Sequence, residues 1–150
     1  MLTIHTAPML RRTLDDADPL AEGAVAVSGD RIAAIGPLPE LAAAYPQARV
    51  RRWPGVLGPG LLHDGPLPDA PTPRERVHAL LRLGVTAVHA ERVTDPELRS
   101  ALQRNGVVVP SGAPRPPVLI PSGRADLAAF TEDGGCVATV LAGRLVHRRA

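Results

Sequence analysis

The fold class this 150-residue chain predicts is mainly β with an α/β excursion in the middle, and three patterns predict it. Two apolar runs, Ala24 to Val27 and Arg31 to Ile35, flank Ser28-Gly29-Asp30. Gly-Asp between such runs signals a hairpin, because glycine supplies the positive φ that a primed turn needs. From Pro73 to Val109 helical and strand-like segments alternate, the mark of parallel βα units. The tail then returns to short apolar strands, two of them joined through Ala142-Gly143. The apolar fraction is 45%, yet the aromatics are only Tyr45, Trp53 and Phe130. The core must therefore be built from Ala, Val, Leu and Ile, which bury less area per residue than rings do.

Each element has a local reason. Leu2 to His5 reads as a first strand, and Met9 to Arg12 continues it after Pro8. After the hairpin, Pro39 suits the first position of a short helix through Ala44, which Pro46 stops. Arg49 to Trp53 reads as a strand, and Pro54 to Gly60 as a Pro/Gly-rich turn. His63 to Pro71 is loop. Thr72 can cap a helix from Pro73 to Leu83 whose apolar face is Val77, Leu80, Leu81 and Leu83, with Gly84 ending it. Val85 to His89 reads as a buried strand. Asp95 caps a second helix, Pro96 to Arg104, closed by Asn105-Gly106. Val107 to Val109 is a further strand and Pro110 to Pro117 a connector. Strands follow at Val118 to Ile120, Asp126 to Phe130, Cys136 to Leu141 and Arg144 to His147.

Charge excludes some function classes. All 17 basic residues are arginine, and the net charge of +2 is too small to imply nucleic acid. The arginines are scattered apart from the pairs Arg11-Arg12, Arg51-Arg52 and Arg148-Arg149, and no aromatics interleave with them. Cys136 stands alone, so neither a disulfide framework nor a thiolate cluster is expected, and it reads as a small hydrophobe in a strand. No apolar run approaches the roughly 20 residues of a membrane span. His5 and Pro8 interrupt the apolar segment a signal peptide needs. A soluble cytoplasmic protein without nucleic-acid or membrane partners is the expectation.

The two β-rich ends resemble a known pair. Gly23 to Gly36 resembles the opening hairpin of metal-dependent amidohydrolases of the imidazolonepropionase and aminodeoxyfutalosine deaminase type. Val56-Leu57-Gly58-Pro59-Gly60-Leu61-Leu62 resembles their lead into the first barrel strand. Ser122 to Phe130 resembles the return strand, and Val137 to Val146 the final hairpin. The resemblance implies a discontinuous composite β-sandwich from residues 1–62 and 118–150. About 250 residues of barrel usually lie between such ends. Here only residues 63–117 intervene, so they are expected to be a truncated remnant of a TIM-like barrel.

That resemblance also implies which chemistry is missing. The family's first metal ligands are two histidines, one residue apart, just after the proline-glycine turn; their metal lowers the pKa of a bound water. Carried over from Pro59-Gly60, those positions fall on Gly65 and Leu67, which cannot ligate. A carbamylated-lysine bridge is excluded because the chain has no lysine. No catalytic residue, metal or cofactor is therefore expected. His63, Asp64, His89 and Glu91 are the remaining ligand-site candidates. His63-Asp64 also fits a loop pair bonded to backbone. His89-Ala90-Glu91 has the spacing of a zinc deaminase, but Cys136 has no partner to complete that motif. Three functions stay open. The first is a non-catalytic interaction or regulatory module, partnered by a second copy as a homodimer or by an intact metabolic enzyme. The second is a hydrolase or deaminase of non-peptide C–N bonds whose site another chain completes. The third is a small-ligand binder at the truncated barrel mouth. Unclosed barrel strands around Val85 to Val88 and Val107 to Val109 would favour self-association.

Overall fold

A computed structural model describes residues 2–149. The first strands are β1 (Leu2–Thr6), β2 (Met9–Leu10), β3 (Leu20–Ala21), β4 (Gly23–Ser28) and β5 (Arg31–Pro37). Helix α1 (Leu38–Ala44) leads to β6 (Arg49–Arg52), β7 (Val56–Pro59) and β8 (Leu61–His63). The excursion holds α2 (Pro73–Leu81), β9 (Val85–Val88) and α3 (Pro96–Arg104). The chain closes with β10 (Leu127–Phe130), β11 (Cys136–Leu141) and β12 (Arg144–Arg148).

Both ends of the chain build the same sandwich. A four-stranded sheet runs β5-β4-β1-β6, and a six-stranded sheet runs β12-β11-β10-β7-β2-β3. In the second sheet the C-terminal β10 pairs antiparallel with the N-terminal β7, placing Leu127 opposite Pro59 and Phe130 opposite Val56. One core lies between the sheets: Val25, Val27 and Ile32 from the first meet Leu10, Leu57, Leu127, Ala129, Ala138 and Val140 from the second. Each fully buried Leu or Val stabilises the fold by roughly 1.5–3 kcal/mol relative to exposure. The chain is thus mainly β with an α/β excursion, as its sequence pattern requires.

Local signals act where expected. Ser28 pairs with Arg31 around Gly29-Asp30, and Gly29 takes φ +61°, as a type II′ turn requires. Thr72 Oγ1 accepts from the Glu75 N–H at 3.1 Å, and an Asp95 carboxylate oxygen accepts from the Glu97 N–H at 3.0 Å. Helix α1 starts one residue before Pro39, at Leu38, because Leu38 and Leu41 together pack on Ile4, Ala24 and Ala26.

Other expectations are corrected. Helix α2 ends at Leu81, so Leu83 is 51% exposed rather than on the apolar face. Pro54 to Gly60 is not all turn: Val56–Pro59 is β7, an interior strand of the six-stranded sheet. Gly55 makes this possible with φ +73°, since a Cβ there would overlap the Phe130 carbonyl. Pro59 stands where β2 has already ended, so its missing N–H breaks no pairing with that strand. Val107 to Val109 and Val118 to Ile120 form single bridges only, Val108 to Ala87 and Val118 to Thr13. Prolines at 110, 116, 117 and 121 remove the donors that longer ladders need. Cys136 opens β11 half-buried, with its thiol 3.4 Å from the Ala138 carbonyl oxygen.

The excursion rests on the sandwich through β11. Helices α2 and α3 cover one face of the parallel pair β8–β9, burying Val77, Leu80, Leu98, Leu102, Val85 and Val88 together with Leu141 of β11. Thr139 Oγ1, fully buried, donates to the Leu81 carbonyl at 2.6 Å and so ties the end of α2 to the sandwich.

Candidate functional site

Parallel pairing of β8 and β9 brings their C-terminal ends together, where barrel enzymes place their chemistry. The His89 N–H donates to the His63 carbonyl at 3.0 Å, so both histidines lie at this mouth. Asp64 follows His63, and Glu91 follows in the short turn Ala90–Arg92. The four candidates predicted from sequence are therefore neighbours in the fold.

Three of the four side chains are committed to the protein itself. His89 is 2% exposed, and its Nε2 lies 2.7 Å from the Gly112 carbonyl oxygen while its Nδ1 accepts from the Glu91 N–H at 3.3 Å. A carbonyl only accepts and an amide only donates, so these bonds fix the neutral tautomer protonated on Nε2. Neither nitrogen is left for a metal or substrate. His63 Nε2 donates to the Pro66 carbonyl at 2.8 Å. Asp64 Oδ1 pairs with Arg92 Nε at 3.2 Å, and Glu91 faces solvent. Leu67 packs against the helix-side core instead of the mouth. Among the described residues no group of three His, Cys, Asp or Glu gathers where a metal could bind.

A cavity of about 520 Å³ lies beside these residues but is not lined by them. It occupies the strand face turned away from α2 and α3, with Gly60, Leu62, Thr86 and Val108 on one wall and Pro117, Val118 and Ile120 of the connector on another. Gly60 lets β8 lie close to β9, because a Cβ there would overlap Thr86. At the cavity's edge Arg124 donates to the Gly106 carbonyl, and its Nε lies 3.1 Å from Asp126 Oδ1. That contact is an ion pair without an aligned hydrogen bond, for the buried Nε–H points at no acceptor. Burial pushes the Asp126 carboxyl up, against the Ala142 N–H and Arg124, which pull it down. Sequence patterns missed this cavity because its walls join one face of β8 and β9 to a connector whose path back over them depends on tertiary folding.

Comparison with known proteins fits this geometry. Residues 23–48 match the model of the imidazolonepropionase-like composite domain of bacteria. Guanine deaminase from Bradyrhizobium japonicum superposes with a TM-score of 0.54 at 19% identity, covering 75% of this chain and 35% of that one. The chain has the fold of an amidohydrolase composite domain. Ochratoxinase from A. niger gives 0.50 at 23% identity, over 73% of this composite-domain chain and 30% of its own. Aminofutalosine deaminase from Helicobacter pylori gives 0.46 at 18%, over 59% and 27%. The composite-domain chain thus spans about a third or less of these structures. No curated protein matches it in sequence. No helix among the described residues is long and apolar enough to cross a membrane.

Proposed function

We propose that this chain is a non-catalytic amidohydrolase-derived domain, a cytoplasmic interaction or regulatory module whose partner is a second copy or an intact metabolic enzyme. The observation that supports this most is the state of the barrel mouth. His89 spends both ring nitrogens on backbone groups, and the two positions of the family's first ligands carry Gly65 and Leu67. A hydrolase needs an open coordination site and a water that the metal activates. Neither Gly65 nor Leu67 supplies an imidazole. A site completed by another chain would need His89 to break both of its hydrogen bonds, each contributing about 0.5–1.5 kcal/mol.

Elemental analysis after purification without chelator or nickel resin tests the reading. The expected result is no stoichiometric zinc or iron, and no deamination of guanine or hydrolysis of cyclic amides. A stoichiometric metal with activity lost on chelation would overturn it. The cavity favours a second reading, a small-ligand binder. Its volume of about 520 Å³ lies within the range of small-molecule pockets. An Ile120→Arg variant that fills the cavity and abolishes a ligand-induced thermal shift would support that alternative.

A further inference from the structure

Two arginine pairs far apart in sequence meet along one side of the sandwich. β6 ends the four-stranded sheet, and β12 ends the six-stranded one. Trp53, directly after β6, is buried in the sandwich core, and the Arg148 guanidinium sits 5.7 Å from its ring centroid. Arg148 therefore joins Arg49 and Arg51, which share the Trp53 face of β6, whereas Arg52 points to the opposite face beside Leu38 and Glu22. Partial desolvation, with Arg49 and Arg148 close by, pulls the Arg51 guanidinium below its ordinary range. Among the described residues none of these four forms a salt bridge, whereas Arg12, Arg31, Arg92 and Arg124 each do. Arg149 differs, because Asp133 lies within its electrostatic reach.

The backbone of β6 is open on the same side. Among the described residues its one strand partner is β1, in parallel. The Trp53 N–H donates to the Thr6 carbonyl at 2.8 Å, which sets the alternation of the ladder. Arg49 and Arg51 then turn their N–H and C=O groups toward β1, and Val50 and Arg52 turn theirs outward. Val50 is 40% exposed, an apolar side chain standing between charges.

We propose that the β6 edge docks an acidic extended segment of another polypeptide, which adds as a further strand along the outward backbone groups of Val50 and Arg52 while its carboxylates pair with Arg49, Arg51 and Arg148. Strand addition supplies main-chain hydrogen bonds, and guanidinium forks supply charge-assisted pairs that select carboxylates. A second copy is disfavoured at this edge, since two such strands would set arginine against arginine. Nucleic acid is disfavoured too, because Trp53 is buried beneath Arg148 and leaves no exposed ring for bases to stack on. The proposal rests on the interaction-module reading and names the chemistry of one partner.

Fluorescence anisotropy with a labelled peptide of alternating Glu and Val tests it, against the same peptide with Lys for Glu and a single-stranded DNA oligonucleotide. The acidic peptide should bind and weaken steeply with salt. Arg49→Glu and Arg148→Gln should each weaken it by roughly tenfold. Val50→Pro removes an outward N–H without touching the β1 ladder, so it should abolish peptide binding with every charge kept. If Val50→Pro fails to fold, as circular dichroism would show, the two charge variants still decide. Equal binding of the Lys peptide, DNA binding as tight as the acidic peptide's, or dimers that Arg49→Glu disperses would each overturn the proposal. A metal-dependent hydrolase activity would sink the non-catalytic reading while leaving the peptide result standing, so the two failures are distinguishable.

Discussion

Acidification should weaken this fold through one buried histidine. His5 is 2% exposed, and its Nδ1 accepts a 3.2 Å hydrogen bond from the Trp53 indole N–H, with the two ring planes 8° from parallel. Burial, helped by the nearby Arg51 charge, lowers its pKa from 6.5 to about 4. The folded value lies below the unfolded one, so the neutral ring's contribution is fully present above about pH 6.5 and is lost as pH falls toward about 4. At about pH 5 the loss should be about 2 kcal/mol, approaching about 3 kcal/mol near the folded pKa. Asp16 and Asp133, both held below their ordinary range, respond only at lower pH, and Asp126, raised by burial, responds in the opposite sense. A comparison cancels them: His5→Gln keeps an acceptor for Trp53 but does not titrate. Urea unfolding of both proteins at about pH 7 and about pH 5 should show the parent losing about 2 kcal/mol more than the variant. Equal losses would refute the placement of a neutral, desolvated His5.

Glycines at positive φ should separate backbone strain from collision. A Cβ at Gly29 meets no atom within 4 Å, so Gly29→Val should cost roughly 1–2 kcal/mol through backbone strain alone. Gly55→Ala adds an overlap with the Phe130 carbonyl, so thermal melting should place it well below Gly29→Val. A reversed order would mean that β7 and β10 are mispaired. Thr139→Val leaves the Leu81 carbonyl without its buried donor and should cost about 1–3 kcal/mol by chemical denaturation. An unchanged midpoint would show that this bond does not hold α2.

Local chemistry made part of the fold legible. Gly29-Asp30, Thr72 and Asp95 each act within a few residues, so the hairpin and both caps could be read directly. β7 could not, because glycine and proline argue against a strand and only the flanking β2 and β10 make it one. The reverse error arose at Val107 to Val109, where β-branched residues promise a strand that prolines curtail. At the barrel mouth, parallel strands foretold that His63 and His89 would meet. That His89 is locked by Gly112, 23 residues away, depends on how the connector folds back. The arginine side escaped for the same reason: Arg51-Arg52 and Arg148-Arg149 look scattered until two sheet edges align.

β11 touches no water along most of its length. Ala138 and Val140 face the sandwich core, while Thr139 and Leu141 face the helices of the excursion. A strand roofed on both sides cannot lose one roof quietly. Excising residues 63–117 would bare Leu141 and strand the Thr139 hydroxyl, so the shortened protein should be stickier and less stable than the parent. Heat should likewise melt both halves in one step, with no temperature at which the sandwich outlives its helices. The tolerant place for engineering is the connector beyond the Gly112 contact, whose exposed residues from Ala113 to Pro116 offer room for a tag or an inserted domain with neither core disturbed.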